Sequence, residues 1–321
     1  MKHLLHPWSQ SIQYLLLLSL WACTNLHAQV MNGFDLKDAL IPADQIASGG
    51  PAKDGIPAVD KPKFVNVANA VFLQPNDMVL GLERQGIARA YPLRILNWHE
   101  VVNDQLGAEP ITITYCPLCG TGVAFDRRVN GRVLSFGVSG LLYNNDVLLY
   151  DRQTNSLWSQ LMGQAISGSM KGWRLTMLPV THTTWGDWRN GHAKTQVLST
   201  DTGHRRAYDR DPYVGYGSSS EVMFPLAFRS AGFHPKERVL GVQIGTQTKA
   251  YPFVELSKTS GVINDTWADT TLTIRFDRAN GRATAHSSNG AQWPAVVGYW
   301  FAWYAFHPDT AVFRVVTQRV P

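Results

Sequence analysis

Two stretches of this chain repeat one ordered set of residues, and such a repeat constrains the fold more than any other feature, because each copy must build the same local structure. Val79-Leu80-Gly81 is followed by Ala90-Tyr91-Pro92, Val102-Asn103-Asp104 and Ile111-Thr112-Ile113. Val239-Leu240-Gly241 is followed at nearly the same spacing by Ala250-Tyr251-Pro252, Ile263-Asn264-Asp265 and Leu272-Thr273-Ile274. Each copy next shows Phe-Asp-Arg and an Asn-Gly pair, over Phe125 to Gly131 and over Phe276 to Gly281. Asn-Gly between strand-like flanks marks a tight hairpin, since both residues accept positive φ. The copies close alike, with Trp185, Trp188, His192, Thr195 and Val197 in the first and Trp300, Trp303, His307, Thr310 and Val312 in the second.

Short strands separated by turns, without long alternating helices, predict a mainly β fold with short helices (α+β) and exclude a parallel α/β sheet. The expected architecture is two related β-rich units from an internal duplication, packed about a pseudo-two-fold axis. An extended arm rich in Gly and Pro, 29–70, precedes the first unit, 71–200; a connecting segment, 201–238, leads to the second, 239–321.

The copies differ in length: Val79 to Val197 spans 118 positions, Val239 to Val312 only 73. Roughly ten of the extra residues fall between the Ile-Thr-Ile strand and Phe-Asp-Arg, where the first copy reads YCPLCGTGVAFDR and the second RFDR. Most of the rest fall in SGLLYNNDVLLYDRQTNSLWSQLMGQAISG. A repeated scaffold needs the same packing residues twice, so what one copy alone possesses is the better candidate for chemistry.

Residues 1–28 read as a signal peptide. Met1, Lys2 and His3 lead to an apolar run, Tyr14 to Cys23, about half the length that crosses a bilayer. Cleavage is expected after Ala28; the other reading is a lipoprotein-like cut before Cys23, with Leu20-Trp21-Ala22 as an unusual lipobox and a lipid anchor on that cysteine. The mature chain has no other stretch long and apolar enough to span a membrane, and it is expected in the periplasm or secreted. Lys plus Arg is 29 and Asp plus Glu 24, a net charge of +5 without basic blocks, which excludes a nucleic-acid partner. A GxxxxGK phosphate loop, a GxGxxG turn, a GxSxG elbow and an HExxH pair are all missing.

Cys116 and Cys119 are then the cysteines of the mature chain, a local device rather than a disulfide framework. Cys-x-x-Cys admits a redox dithiol, half of a metal site or a static disulfide. CPLC follows a strand and precedes Gly120-Thr121-Gly122, so it sits on a turn and lacks the helix N-terminus that a thioredoxin-type thiol needs. His99 lies in YPLRILNWHEVVND, read as a short helix opened by Pro92; the matching YPFVELSKTSGVIND has no histidine. Cys116, Cys119 and His99 form the expected metal site, with one open position and soft sulfur that suits copper first and zinc second. The other reading of His99 is a hydrogen bond to a backbone carbonyl.

Asp146 and Asp151 stand at the ends of a buried strand around Val147-Leu148-Leu149, and with Arg152 they are the candidate catalytic residues, placed to orient a substrate or a ligand. The alternative is a hairpin whose acids cap turns. His192 and His307 occupy matched positions and are expected to hold turns; Trp300 to Phe306 is expected to be a core-covering helix. The leading function is an exported protein that binds copper, with a small-molecule substrate if it is a metalloenzyme. The alternatives are a periplasmic thiol–disulfide oxidoreductase and a ligand-binding module with a structural disulfide.

The blocks KDGIPAVDKPKF, AYPLRILNWHEVVND, TYCPLCGTGVAFDR, FGVSGLLYNNDVLLYDRQTNSLWSQ, TGHRRAYDRDPYVGY, KAYP and WFAWYAFHPDT resemble the bacterial and fungal domain-of-unknown-function family numbered 3179, over about residues 45–313. The resemblance implies no assigned activity. His99, Cys116, Cys119, Asn144, Asp146, Asp151 and Arg152 all fall in family-like blocks. The family pattern carries Phe where this chain has His204, which argues against His204 as a ligand.

Overall fold

Short strands closed by turns satisfy their backbone amides by pairing with their neighbours. The computed structural model, which describes residues 30–315, is built of such hairpins. Strand makes up 42% and helix 11%, which is the mainly β class with a few short helices. The signal segment and Cys23 lie outside the described residues.

In the leading segment β1 (Val30–Met31) and β2 (Phe34–Asp35) form a ribbon, while β3 (Ile46–Ser48) and β4 (Phe64–Asn66) each join the edge of a larger sheet. Next come β5 (Met78–Arg84) and β6 (Ile87–Pro92), a hairpin ended by Pro92, whose φ of −65° opens the short helix α1 (Leu93–Leu96). The meander β7 (Val101–Leu106), β8 (Glu109–Cys116) and β9 (Thr121–Asp126) follows. In the small ribbon β10 (Arg128–Val129) and β11 (Arg132–Val133), Asn130 and Gly131 both take positive φ, the expected tight turn.

A further sheet contains β12 (Phe136–Tyr143), β13 (Asp146–Asp151), β14 (Leu157–Ser159) and β15 (Gln164–Ala165), with β3 on its edge. Then β16 (Thr176–Leu178) returns to pair with β9 and β17 (Thr181–Thr184) with β5. After α2 (Trp185–Gly191), β18 (Gln196–Leu198) runs parallel to β6.

The second half contains β19 (Arg238–Ile244), β20 (Gln247–Pro252), α3 (Phe253–Leu256), β21 (Val262–Trp267), β22 (Thr270–Asp277), β23 (Arg282–Ser287), β24 (Gln292–Trp293), β25 (Ala295–Tyr299), α4 (Trp300–Phe306) and β26 (Ala311–Val312). Its sheets run β25-β19-β20-β26 and β21-β22-β23-β24, matching β17-β5-β6-β18 and β7-β8-β9-β16 strand for strand. The five larger sheets resemble the blades of a five-bladed β-propeller.

The repeated residues explain the match. Gly81 and Gly241 lie at the same place in their hairpins, and a Cβ there would run into the rings of Trp188 and Trp303 respectively. Each indole in turn donates from Nε1 to a threonine, Trp188 to Thr195 (2.9 Å) and Trp303 to Thr310 (3.0 Å). His192 and His307 end α2 and α4 with the same backbone geometry, φ −136° and −135°, as expected for residues that hold turns. Trp300, Phe301 and Trp303 of α4 are buried in the core. Contacts between the halves are reciprocal: β17 packs on β23 and β25 on β9.

The pairing corrects the sequence reading of where the extra residues lie. The Phe-Asp-Arg runs are not equivalent: Phe125 and Asp126 end β9, whereas Phe276 and Asp277 end β22, one strand earlier. The β8–β9 turn after Cys116 and the β22–β23 turn after Asp277 therefore have the same length, and Cys116 and Cys119 stand where the second half has Asp277 and Asn280. The excess is concentrated in one insertion. Phe125 and Met177, paired across β9 and β16, are 52 positions apart in the chain, whereas the matching pair His286 and Gln292 is 6 apart. That insertion is the β12–β15 sheet. It covers the β7–β9 face, so Val101 is 0% exposed; the matching Val262 is 56% exposed.

Candidate metal centre

Two turns meet at the cysteines. Cys116 ends β8 and pairs with Thr121, which leaves a four-residue turn with Cys119 near its end. Facing it is the β12–β13 turn, where Asn144 and Asn145 both take positive φ, the type I′ geometry that asparagine tolerates. Asn144 is held from both sides, donating to Ala305 O (3.0 Å) and accepting from Ala227 N (2.7 Å). Asn145 accepts from Phe224 N (3.0 Å) and donates to the Tyr216 hydroxyl (3.3 Å). The turn is thereby fixed so that the Asn145 carbonyl receives both thiols, Cys119 Sγ at 3.2 Å and Cys116 Sγ at 3.7 Å.

The next residue, Asp146, completes the group. One ligand atom from each of Cys116, Cys119 and Asp146 lies within 4.8 Å of the other two, and all three residues are buried. The carboxylate accepts from Leu161 N (3.1 Å) and Thr121 Oγ1 (3.4 Å). The single Thr121 hydroxyl proton is shared between that carboxylate and the closer Gln160 Oε1 (2.8 Å), and the Gln160 amide in turn donates to Thr114 (2.9 Å). Burial pushes Asp146 up to about 7, against the pull of its hydrogen bonds. It likewise raises the Cys116 thiol, and the Cys119 thiol well above its ordinary value. Without a cation, the centre is protonated in the acidic half of the pH scale.

His99 does not join this group. Its Nδ1 bonds Pro57 O (2.7 Å) and its Nε2 the Tyr208 hydroxyl (2.5 Å), which bonds Thr202 (2.6 Å). Both nitrogens are therefore engaged, and burial lowers the imidazole to about 4, so the ring is a neutral strut tying the arm to the connecting segment. The expected Cys, Cys, His set is replaced by Cys, Cys, Asp.

Of the candidate catalytic residues, Asp146 stands with the sulfurs and the other two do not. Asp151 accepts from Thr154 N (2.6 Å), Thr154 Oγ1 (2.8 Å) and Trp158 Nε1 (2.9 Å), which makes it the acid that caps the β13–β14 turn. Arg152 pairs with Asp54 (3.2 Å) and Asp60 (3.3 Å) of the leading segment and clamps that segment to the inserted sheet.

Glu100 is the acid that sequence reasoning passed over. It sits at φ +59°, an unusual conformation for a side chain of its size, with its carbonyl accepting from Tyr115 N (2.8 Å). It lines a cavity of about 90 Å³ together with Leu118, Val147 and Tyr213. Burial, and after it the charge of Asp146, raises its carboxyl to about 8. The buried Lys236, held over the Tyr216 ring at 3.4 Å, donates to the backbone carbonyls of Glu221 (2.6 Å) and Tyr216 (3.4 Å), and burial lowers its ammonium.

The family described as Protein of unknown function (DUF3179) matches residues 53–293. No curated protein and no solved structure matches the chain.

Proposed function

The chain belongs to the DUF3179 family, whose description assigns no activity, and we propose that it is an exported protein that holds a thiophilic metal ion, copper(I) or zinc, at Cys116, Cys119 and Asp146. The observation that carries this reading is the convergence of two sulfurs and a carboxylate within 4.8 Å in a buried site. Burying three acids side by side is unfavourable for the empty protein, and a cation that displaces their protons turns that cost into affinity. Two thiolates suit copper(I); two thiolates and a carboxylate, with the Asn145 carbonyl beside them, suit zinc. Export rests on the apolar run that precedes the described residues. The matched strand orders and reciprocal contacts support a duplicated scaffold, with the inserted sheet bringing Asp146 to one copy only.

If the centre is catalytic, Glu100 is the acid left free to move a proton, because Asp146 is then a ligand. Thiol–disulfide exchange with a protein partner is disfavoured: it needs an accessible thiol of lowered pKa, and both cysteines are buried with raised values.

The test is elemental analysis of the mature protein purified without chelator. About one copper or zinc per chain is expected, lost in Cys116→Ser and Asp146→Ala and kept in His99→Gln. Equal metal in the wild type and Cys116→Ser would overturn the reading; loss in His99→Gln alone would restore the imidazole as ligand.

A further inference from the structure

Glu100 occupies a position that a glycine fills in the second half. It precedes β7 as Gly261 precedes β21, and the two backbones are held alike: Tyr115 N donates to Glu100 O (2.8 Å), and Phe276 N to Gly261 O (2.7 Å). Both residues take positive φ, +59° and +88°, a conformation that glycine adopts readily and glutamate does not. The first half therefore keeps a side chain that its own turn disfavours.

That side chain borders a cavity. Glu100 is 7% exposed and lines the space of about 90 Å³, whose walls are glycines, a proline and apolar side chains, Ile56, Leu118, Val138 and Val147 among them, together with Tyr213. Neither the Glu100 carboxyl nor the Tyr213 hydroxyl has a hydrogen-bond or ion-pair partner among the described residues. Burial and then the charge of Glu100 raise the Tyr213 phenol, so the two groups are neighbours. Their placement is coupled: Asn97 donates to Asp211 (3.0 Å), Trp98 Nε1 donates to Arg210 O (3.2 Å), and Asp211 accepts from Tyr213 N (2.9 Å). The turn that carries Glu100 thus also fixes the loop that carries Tyr213. Among the described residues no cation pairs with the acid: the charge acting on it is that of Asp146, of like sign, and Lys236 is turned to the carbonyls of Tyr216 and Glu221. A buried acid in such surroundings stays protonated, and two hydroxyls, one carboxylic and one phenolic, then face an apolar space without an acceptor.

We infer that this cavity binds a small neutral carbonyl compound, a ketone or aldehyde of about four or five heavy atoms, whose oxygen accepts from Glu100 and Tyr213 while its alkyl groups lie against the apolar walls. The size follows from comparison with a cavity of roughly 150 Å³, which admits benzene. A carbonyl oxygen has two lone pairs for two donors and brings no charge into the cavity, whereas an ammonium would have to be desolvated there. The inference does not rest on the metal reading, since neither contact is one of the three ligand residues. Leu118 and Val147, the neighbours of Cys119 and Asp146 in the chain, place the bound molecule beside that centre.

The test is titration of the full mature chain with acetone labelled at its carbonyl carbon, followed by the NMR signal of that carbon, with isopropylammonium as the charged analogue of the same size. Saturable binding is expected, with the signal moved downfield as for an oxygen that accepts strong hydrogen bonds. Glu100→Gly, which installs the second half's residue and relieves the backbone, should fold at least as stably as the wild type and bind acetone at least about tenfold more weakly, the loss of one hydrogen bond. Tyr213→Phe should weaken binding by a similar factor and serves as the second variant if Glu100→Gly does not fold. Acetone should bind equally before and after treatment with a chelator, so a failure of the metal reading leaves this result unchanged. No saturable shift, an affinity unchanged in both variants, isopropylammonium bound more tightly than acetone, or binding that disappears with the metal would each overturn the proposal.

Discussion

Gly241→Ala tests the repeated scaffold at its tightest point. The added Cβ would lie 2.5 Å from Cη2 of Trp303 and closer still to two other ring carbons, where ordinary carbon contacts are about 3.5–4.0 Å. The ring has to retreat by about 1 Å or more, and it is pinned: Nε1 bonds Thr310 at 3.0 Å, and His307 packs on its face at 4.1 Å between centroids. Overpacking of this kind costs about 1–3 kcal/mol, and the upper end applies where the obstructing group cannot turn aside. The lower chain entropy of alanine in the unfolded state returns about 0.4–1 kcal/mol. A net loss of roughly 2 kcal/mol corresponds to a fall in Tm of about 4–8 °C for a chain of this class. Thermal and urea unfolding followed by circular dichroism would measure it. Gly81→Ala should cost about the same, because Trp188 is held in the same way. In a Trp303→Leu background Gly241→Ala should cost almost nothing, since the obstructing ring is gone. A Gly241→Ala protein as stable as the wild type, or one equally destabilised with and without Trp303, would refute the reasoning.

The pH dependence of the metal-free protein has a definite sign. Asp146 and Glu100 are raised to about 7 and about 8 by burial, so above about pH 6.5, where the histidines lowered by burial are neutral in both states, the folded chain holds more protons than the unfolded one and stability falls as pH rises to about 8. His99 and His307, lowered to about 4 by burial, act oppositely, but only below about pH 6.5. Urea midpoints should therefore decline from pH 6.5 to 8, by an amount equivalent to roughly 2 kcal/mol, and Asp146→Asn should make the decline shallower; an equal slope in that variant would refute it. Asp151→Ala should lower stability by about 1–3 kcal/mol, because Trp158 Nε1 is left buried without an acceptor, while metal content stays that of the wild type. Elemental analysis beside a melting curve separates these two effects.

The repeat was legible in the sequence because its residues are constrained by backbone approach and capping rather than by function. A glycine that must admit an indole, a proline that ends a hairpin, and a histidine that ends a helix leave few substitutes, so they recur in order. Phe-Asp-Arg misled because it ends a strand in both halves, but not the same strand. A motif that merely terminates a ladder fits any hairpin; only pairing, which is long-range, fixes which one. The correction places the excess length in a single inserted sheet.

The same distinction governs the site. Comparing the copies pointed to the cysteines correctly as a difference between them, but their turn replaces Asp277 to Gly281 residue for residue rather than being added. His99 also differs between the copies, yet its difference serves packing: the first half's histidine reaches the Pro57 carbonyl and Tyr208, contacts made by the segments around the repeat. A residue absent from one copy can thus be matched to a neighbour that only the other copy has, and absence alone does not separate a ligand from a strut. The tandem Asn144-Asn145 was the stronger signal. Two residues that tolerate positive φ between apolar strands specify a type I′ turn. In a two-residue turn, the residue that follows the second asparagine starts the return strand beside the Asn145 carbonyl, which puts Asp146 where that carbonyl is. Glu100 gave no such sign, because its positive φ arises where α1 runs into β7 and its burial arises from the inserted sheet and the connecting segment, contacts remote in sequence.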